Sequence, residues 1–191
     1  MASNLVFLSG PHGGGKTTLA RKIQEAYPFI ILPELKTSTP KFHTGVQERQ
    51  ALKLCQKAIE NYEVLQMAKA EPDKLILGNR CIYDGYAYSS AFRDLGWVNE
   101  NEHQQLVGFS RFAFPEEIRE PYAIVLNPPF EVVWDRLQNR WQSEEKKWRE
   151  EDKAYAQAAC NAYKPLQGHP KVLYLEDNTK TKPVLDWLET E

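Results

Sequence analysis

Residues 10–17 read GPHGGGKT, and this segment constrains the fold of the 191-residue chain more than any other feature. A short apolar run (residues 4–8) precedes it, and from Lys16 onward the apolar residues Leu19, Ala20 and Ile23 have helical spacing. The pattern G-x-x-x-x-G-K-[ST] between a strand and a helix is typical of a loop that wraps phosphate groups. Glycines let backbone N–H groups approach an anion, and the helix N-terminus adds a positive dipole end. The segment therefore predicts a nucleoside triphosphate site.

Each part of this loop has an expected role. Lys16 is spaced to reach the β- and γ-phosphates, and the Thr17 hydroxyl is spaced to bind Mg²⁺. The pattern leaves the residue at His12 free, so we expect its backbone to matter more than its ring. ATP and Mg²⁺ are the expected cofactors. The predicted nucleotide-binding residues are Gly10, Pro11, His12, Gly13, Gly14, Gly15, Lys16, Thr17 and Thr18.

Short apolar runs alternate with helical patterns along the whole chain. Strands are predicted at residues 4–8, 29–32, 75–77, 122–126 and 172–175, and helices at 16–27, 44–70, 79–114 with a break near Gly96, 129–141, 143–162 and 183–188. This alternation predicts an α/β fold of three layers, with a mostly parallel five-stranded sheet and helices on both faces. We expect a single domain over residues 1–191.

Two patterns in the segment 44–70 add detail to this prediction. Thr44 and Gln47 have the spacing of a capping box, which places the helix start at Thr44. Apolar residues spaced by three and four predict a buried stripe or a subunit contact along the helix, namely Leu52, Cys55, Ile59, Tyr62 and Leu65.

Composition excludes several classes of protein. Lysine plus arginine (24) nearly balances aspartate plus glutamate (26), which argues against nucleic acid as a partner. No run approaches the ~18 apolar residues of a membrane-spanning helix, and the first residues lack the basic and apolar regions of a signal peptide. The three cysteines lack metal-ligand spacing. We expect a cytoplasmic protein with reduced thiols.

Three segments outside the loop carry a family resemblance: Leu32-Pro33-Glu34, residues 79–88 (NRCIYDGYAY) and residues 136–140 (RLQNR). With them, the chain resembles the nucleoside and nucleotide kinases among P-loop proteins, especially deoxynucleoside kinases and thymidylate kinases. The resemblance implies that Glu34 contacts the acceptor hydroxyl and that Arg80 lies in an acidic–arginine segment at the acceptor. It also implies a helical lid over residues 136–160.

The residue types suit phosphoryl transfer, which depends on positioning and charge neutralisation. A carboxylate at the end of a strand beside the loop can take a hydroxyl proton, and arginines one helical turn apart share a face. The predicted catalytic residues are Lys16, Glu34, Arg80, Arg136 and Arg140. The predicted substrate-binding residues are Glu34, Arg80, Tyr83, Asp84 and Tyr88.

Structural roles compete with these functional ones. Arg80 can pair with Asp84 purely for structure, Arg136 and Arg140 can face solvent, and the tyrosines can belong to the core. The charged stretch 143–153 is either a solvated helix or part of the lid that closes over the nucleotide. By resemblance, residues 177–180 are a candidate contact for the adenine base.

One residue departs from the kinase pattern: Asn79 stands where related kinases carry an acid, and an amide cannot act as a base. The sequence predicts transfer of the γ-phosphoryl group of ATP to a small-molecule acceptor, a nucleoside or nucleotide, whose identity stays open. Two alternatives remain: an ATPase or nucleotide-dependent switch acting on a macromolecule, and a nucleic-acid 5′-hydroxyl kinase. A homodimer through the helix 44–70 is expected from the resemblance alone.

Overall fold

The structure is a computed structural model that describes residues 4–27, 30–33, 45–146, 149–179 and 181–188. The strands of this part of the chain are β1 (Leu5–Ser9), β2 (Ile30–Ile31), β3 (Leu75–Asn79), β4 (Tyr122–Leu126) and β5 (Val172–Leu175). The helices are α1 (Lys16–Ala26), α2 (Val46–Ala70), α3 (Ile82–Asp94), α4 (Glu100–Ala113), α5 (Phe130–Arg140), α6 (Lys153–Ala162) and α7 (Lys182–Leu188). Two short 3-10 helices cover Glu116–Ile118 and Lys164–Leu166.

The strands form one parallel sheet in the order β2-β3-β1-β4-β5. Side chains alternate between the two faces of β1: Leu5 and Phe7 pack with α2, α3, α4 and α6, whereas Val6 and Leu8 pack with α1 and α7. The predicted three-layer α/β fold is confirmed. Because the strands are parallel, the carboxyl ends of β1, β3 and β4 meet at one edge of the sheet, where ligands bind in open α/β folds.

The prediction that the apolar stripe of α2 faces the core is wrong for most of its residues. Ile59 and Tyr62 are 58% and 54% exposed, and Cys55 is exposed as well. Of the predicted stripe only Leu65 is buried; the buried residues of the helix are Gln50, Leu54, Ala58, Glu60, Asn61, Val64, Leu65 and Ala68. Both faces have residues three and four apart, but the buried one contains alanines, amides and a carboxylate, so apolar spacing alone selected the wrong face. The alternative of a subunit contact stays a prediction.

Three predicted boundaries differ from the structure. Helix α2 begins at Val46 with Gly45 as N-cap, and Thr44 lies outside the described residues. Helix α6 begins at Lys153, because Asp152 caps it by accepting a hydrogen bond from Tyr155 N at 3.0 Å. The described residues 143–146 and 149–152 are therefore turns and irregular backbone rather than helix. Strand β3 runs through Gly78 to Asn79.

Among the described residues, no helix is both long and apolar enough to cross a membrane.

We predict that Gly78→Ala destabilises the protein. A Cβ atom at Gly78 would lie 2.6 Å from both Cδ1 and Cε1 of Phe7, whose ring is fully buried. Overpacking of this kind costs about 1–3 kcal/mol, which urea unfolding would measure as a lower midpoint.

Gly108→Ala is the matched control, since it makes the same change in an exposed turn of α4 with no atom within 4 Å. It should stabilise the protein by up to about 1 kcal/mol, because glycine is a poor helix former. Equal unfolding midpoints for the wild type and Gly78→Ala would contradict the packing described for β3.

Candidate active site

The phosphate-binding loop joins β1 to α1 and packs against β4. Gly10 has a φ of 136°, and a Cβ atom there would lie 2.1 Å from Leu126 O. Gly15 has a φ of 96° and is the N-cap of α1. Both positions therefore require glycine, which is the physical basis of the sequence pattern. The loop presents the first N–H groups of α1 at the carboxyl edge of the sheet, as an anion site requires.

Lys16 lies over this loop rather than pointing into solvent. Its Nζ donates hydrogen bonds of 2.8 Å to Gly10 O and to Pro11 O. Thr17 and Thr18 follow in the first turn of α1 and are exposed.

The donor set fits Mg²⁺ in the manner of nucleotide sites, in which a protein hydroxyl joins phosphate oxygens and waters. Thr17 is the residue that would hold the ion. Within the described ranges, no group of three His, Cys, Asp or Glu side chains could hold a metal ion without a nucleotide.

Asp84, in the first turn of α3, is the hub of the hydrogen bonds around the loop. Its Oδ2 accepts from Ser9 Oγ at 2.7 Å and from Cys81 N at 2.9 Å. Its Oδ1 accepts from Arg80 Nη1 and from the Tyr163 hydroxyl, each at 2.7 Å. The side chain thus ties the end of β1 to the β3–α3 turn and to the end of α6.

These donors explain why Asp84 is ionised although its side chain is buried. Burial by itself raises the pKa of the carboxyl group. The charges of Arg80 and Lys16 and the hydrogen bonds from Tyr163 and Ser9 outweigh that effect, so the pKa lies below its ordinary value. The same burial, with the Asp84 charge beside it, raises the pKa of the Cys81 thiol to about 12, which leaves that thiol protonated and inert.

Arg80 connects the loop to the space beside it. Its backbone has a φ of 65°, in the left-handed region, and Asn61 Nδ2 donates to its carbonyl oxygen at 3.0 Å. Its Nη1 donates to Gly10 O at 3.2 Å, and its guanidinium carbon lies 5.2 Å from the centre of the Tyr88 ring. Gly10 O therefore accepts hydrogen bonds from both Lys16 and Arg80.

A pocket of about 670 Å³ opens beside this junction. It lies between the loop residue His12, helices α2 and α3, Tyr155 of α6 and residues 144–146. Of the predicted substrate-binding residues, Arg80, Asp84 and Tyr88 line it. The described lining residues are His12, Arg49, Gln50, Lys53, Leu54, Lys57, Arg80, Cys81, Asp84, Gly85, Tyr88, Phe92, Phe114, Glu144, Glu145, Lys146 and Tyr155.

The other two predicted substrate-binding residues are not brought to this pocket by the described structure. The Tyr83 hydroxyl donates to Pro121 O at 3.3 Å and its ring lies 5.5 Å from that of His169, on the other side of α3 from the pocket. Tyr83 is a core residue because helical periodicity turns it away from Tyr88. Glu34 lies outside the described residues, so its role stays a prediction.

The two predicted lid arginines lie on α5 and make different contacts. Arg136 Nη1 donates to Gly14 O at 2.8 Å, and its Nη2 donates to Asn178 Oδ1 at 3.1 Å. Asn178 also borders Gly15, so Arg136 and the segment after β5 cover the same side of the loop. Part of the predicted base-contacting segment 177–180 therefore lies beside the nucleotide loop, whereas Lys180 is outside the described residues.

Arg140 is connected to the phosphate-binding loop through Glu150. Its guanidinium forms an ion pair with Glu150, and its Nε lies 3.8 Å from Glu144 Oε2. Glu150 is only 1% exposed, and its Oε1 lies 3.4 Å from His12 Nδ1. This buried carboxylate, which the sequence suggested was part of a solvated or lid helix, thus joins α5 to the phosphate-binding loop.

Sequence reasoning missed the basic residues of α2 that face the pocket, Arg49, Lys53 and Lys57. A signal was present, since they are spaced by four and so share one face of a helix. Apolar periodicity in this segment does not reveal that basic face. Asn79 is the last residue of β3; its side chain is exposed, and its carbonyl oxygen lies 3.4 Å from Lys57 Nζ.

We predict that Asp84→Asn destabilises the protein by about 3 kcal/mol at neutral pH, because it removes one charge of a buried ion pair. The folded-state pKa of Asp84 lies below its ordinary value, so its contribution is full at neutral pH. That contribution is lost as the pH falls below about 4. The stability difference between the wild type and Asp84→Asn should therefore shrink as the pH is lowered, as measured by urea unfolding at several pH values.

Asp94→Asn is the control for this series: Asp94 is exposed at the end of the same helix, where it pairs with Arg93. It should change stability by less than about 0.5 kcal/mol. A difference for Asp84→Asn that does not depend on pH would contradict the assignment of a buried, ionised carboxylate.

Comparison with known proteins places this geometry in a family. A family model described as an AAA domain matches residues 5–168, which is more than half of the chain. None of the curated proteins compared with this sequence matches it. The structure of deoxyadenosine kinase from M. mycoides with the products dCMP and dCDP bound has a TM-score of 0.70 at 16% identity, over 98% of this chain and 100% of that one.

Thymidylate kinase from Candida albicans has a TM-score of 0.65 at 19% identity, over 98% of this chain and 91% of that one. At these identities the likeness concerns the fold, and it confirms the predicted resemblance to P-loop nucleoside and nucleotide kinases. The loop, the sheet order and the match over residues 5–168 agree: the chain belongs to the AAA domain family of P-loop proteins.

Proposed function

We propose that the protein is a kinase that transfers the γ-phosphoryl group of ATP to a small-molecule acceptor, a nucleoside or nucleotide, held in the pocket between α2 and α3. One observation carries the proposal: Arg80, which lines the pocket, donates to the same carbonyl oxygen of Gly10 as Lys16 does. A nucleotide on the loop and a molecule in the pocket would meet at this point. The kinase fold of the compared structures supports the same conclusion.

In this proposal the chain acts mainly by holding charge in place, as phosphoryl transfer requires. Lys16 and the loop N–H groups bind the β- and γ-phosphates, and Arg80 stabilises the charge that spreads over the transferring group. Asp84 is a positioning residue, because its hydrogen bonds fix Arg80 and Ser9. When bound with Thr17, Mg²⁺ neutralises charge on the β- and γ-phosphates.

The second half of α5, the segment after it and most of α6 act as the lid of this proposed site, over about residues 136–160. Arg136 contacts Gly14 O on the nucleotide side. Arg140 is tied through Glu150 to His12, which also lines the pocket. The two arginines therefore link the lid to both substrates, and closure of the lid limits hydrolysis by water.

The shape of the pocket also argues against the two alternative functions, a switch acting on a macromolecule and a nucleic-acid 5′-hydroxyl kinase. Its concave shape and aromatic walls of Tyr88, Phe92 and Tyr155 suit a small flat molecule better than a macromolecular surface. The overall charge of −2 gives no support to a polymer substrate. The single-domain organisation, the homodimer and the cytoplasmic location stay predictions.

We predict that Lys16→Ala lowers kcat/KM for phosphoryl transfer by about a hundredfold or more. The substitution removes a positive charge that stabilises the transition state more than it stabilises the bound substrate. The assay measures ADP release and labelled product with Mg·ATP and a panel of nucleosides and nucleoside monophosphates. Lys164→Ala, which removes an exposed lysine near the end of α6, should leave the rate unchanged. Hydrolysis of ATP without phosphorylation of any acceptor would refute the kinase proposal.

Glu34→Gln tests the predicted base. A hydroxyl acceptor has a proton to lose, so the transfer rate should fall about a hundredfold with little change in ATP binding if Glu34 accepts that proton. ATP binding is measured separately by calorimetry. Equal activity of this variant would remove Glu34 from the mechanism.

A further inference from the structure

Helix α2 presents a row of positive charge to the pocket. Arg49, Lys53 and Lys57 follow one another at intervals of four residues, which places them on one face of the helix. All three line the pocket, and Arg80 lines it from the β3–α3 turn. We call Arg49, Lys53 and Lys57 the basic row.

The basic row ends beside the phosphate-binding loop. Lys57 Nζ lies 3.4 Å from the carbonyl oxygen of Asn79, the last residue of β3. Asn79 directly precedes Arg80, whose guanidinium bonds to Gly10 O of the loop. The Lys57 end of the row is thus connected through Asn79 and Arg80 to the phosphate-binding loop.

The positive charges of the basic row repel one another, and contacts with neighbouring side chains offset part of this repulsion. Burial lowers the pKa of Lys53, and the charges of Arg49, Lys57 and Arg80 lower it further, whereas Glu60 raises it. Glu60 pairs with Lys57 and is itself buried, and Lys53 Nζ donates to Gln56 Oε1 at 3.2 Å. Like charges four residues apart do not stabilise a helix, so the spacing of the basic row is not explained by helix stability.

The carboxylates at the pocket do not cancel this charge. Among the described lining residues these are Asp84, Glu144 and Glu145. Asp84 is bonded to Arg80 and to four other donors, and the two glutamates lie in the segment before α6, next to Lys146. Glu60 offsets one of the three charges of the basic row, so among the described residues the wall formed by α2 keeps a net positive charge and suits an anion.

On the basis of the proposed function, we propose that the acceptor carries a phosphomonoester, which binds to the basic row at Lys53 and Lys57 and is itself the group that receives the phosphoryl. The acceptor class is then a nucleoside monophosphate rather than a nucleoside. A phosphomonoester carries a charge of about −1.5 to −2 at neutral pH. Bringing it against a triphosphate requires cations between and beside the two anions, which the basic row and Arg80 supply.

The chemistry of this acceptor agrees with the residues at the end of β3. An ionised oxygen of the acceptor phosphate attacks the γ-phosphorus and forms the new P–O bond. The bond from the γ-phosphorus to the β–γ bridging oxygen breaks, and the electron pair leaves with ADP. The attacking oxygen has no proton to lose, so no general base is required, and with this acceptor Glu34→Gln should leave the transfer rate close to that of the wild type. Asn79, which cannot act as a base, is compatible with such an acceptor.

The first test compares acceptors with the wild-type protein and Mg·ATP. Each nucleoside of a panel is assayed beside its 5′-monophosphate, with a 5′-hydroxyl oligonucleotide as a further acceptor. We expect kcat/KM for the best monophosphate to exceed that for its nucleoside at least a hundredfold. Equal or better use of nucleosides, or use of the oligonucleotide alone, would overturn this inference and leave a kinase in place. Failure of every acceptor, with ATP still hydrolysed, would overturn the proposed function itself.

The second test changes the basic row and reads substrate affinity. Loss of a charged hydrogen bond in Lys53→Gln should raise KM for the monophosphate about tenfold or more and leave KM for ATP within about twofold. Lys53→Arg keeps the charge and should restore most of the affinity. Lys69→Gln is the control, since Lys69 lies on the same helix outside the pocket, in an exposed pair with Glu117.

Direct binding separates recognition from turnover. Calorimetry with the best monophosphate, in the absence of ATP, should give a weaker dissociation constant for Lys53→Gln than for Lys69→Gln. Unfolding midpoints of all variants exclude loss of the fold as the cause. Equal monophosphate affinity and equal KM in Lys53→Gln and the wild type would refute binding at the basic row.

Discussion

The buried carboxylate of Asp84 is the interaction on which the rest of the site depends. It joins the end of β1, the turn after β3 and the end of α6 through hydrogen bonds from Ser9, Arg80 and Tyr163. A buried charge is tolerated only when it is paired and fully hydrogen-bonded, so these elements must meet in one arrangement. That arrangement is the one in which Arg80 contacts Gly10 of the phosphate-binding loop.

A second buried carboxylate, Glu150, organises another part of the loop. Glu150 lies between Arg140 of α5 and His12, and so connects the lid region to the loop. It belongs to neither α5 nor α6. Arg136 makes the complementary contact with Gly14 and Asn178. The loop is thus held by two sets of charged contacts, and His12 from one set and Arg80 from the other both line the pocket. Such an arrangement suits the proposed transfer between two bound anions, since fixed charges need not reorganise during the reaction.

Much of the fold could be predicted because its signals are local. The loop pattern and the apolar run before it correspond to the connection from β1 to α1. The break at Gly96 corresponds to the connection from α3 to α4, and Pro129 directly precedes α5. Errors arose where a helix offers two faces with similar spacing, as in α2, and where a single long-range contact decides the backbone. Glu150 is of the second kind: it is buried because Arg140 is near it, and nothing in its neighbours along the chain indicates that.

By itself, the sequence determined the phosphate-binding loop and the parallel α/β architecture. The physical reason is that glycine conformations, helix dipoles and apolar alternation act between neighbouring residues. The tertiary structure alone decided which polar residues share the pocket. It turned Tyr88 inward and Tyr83 away, and it faced Lys53 toward the pocket while exposing Ile59. Those choices depend on how α2, α3 and α6 pack around Asp84, which no short-range pattern encodes.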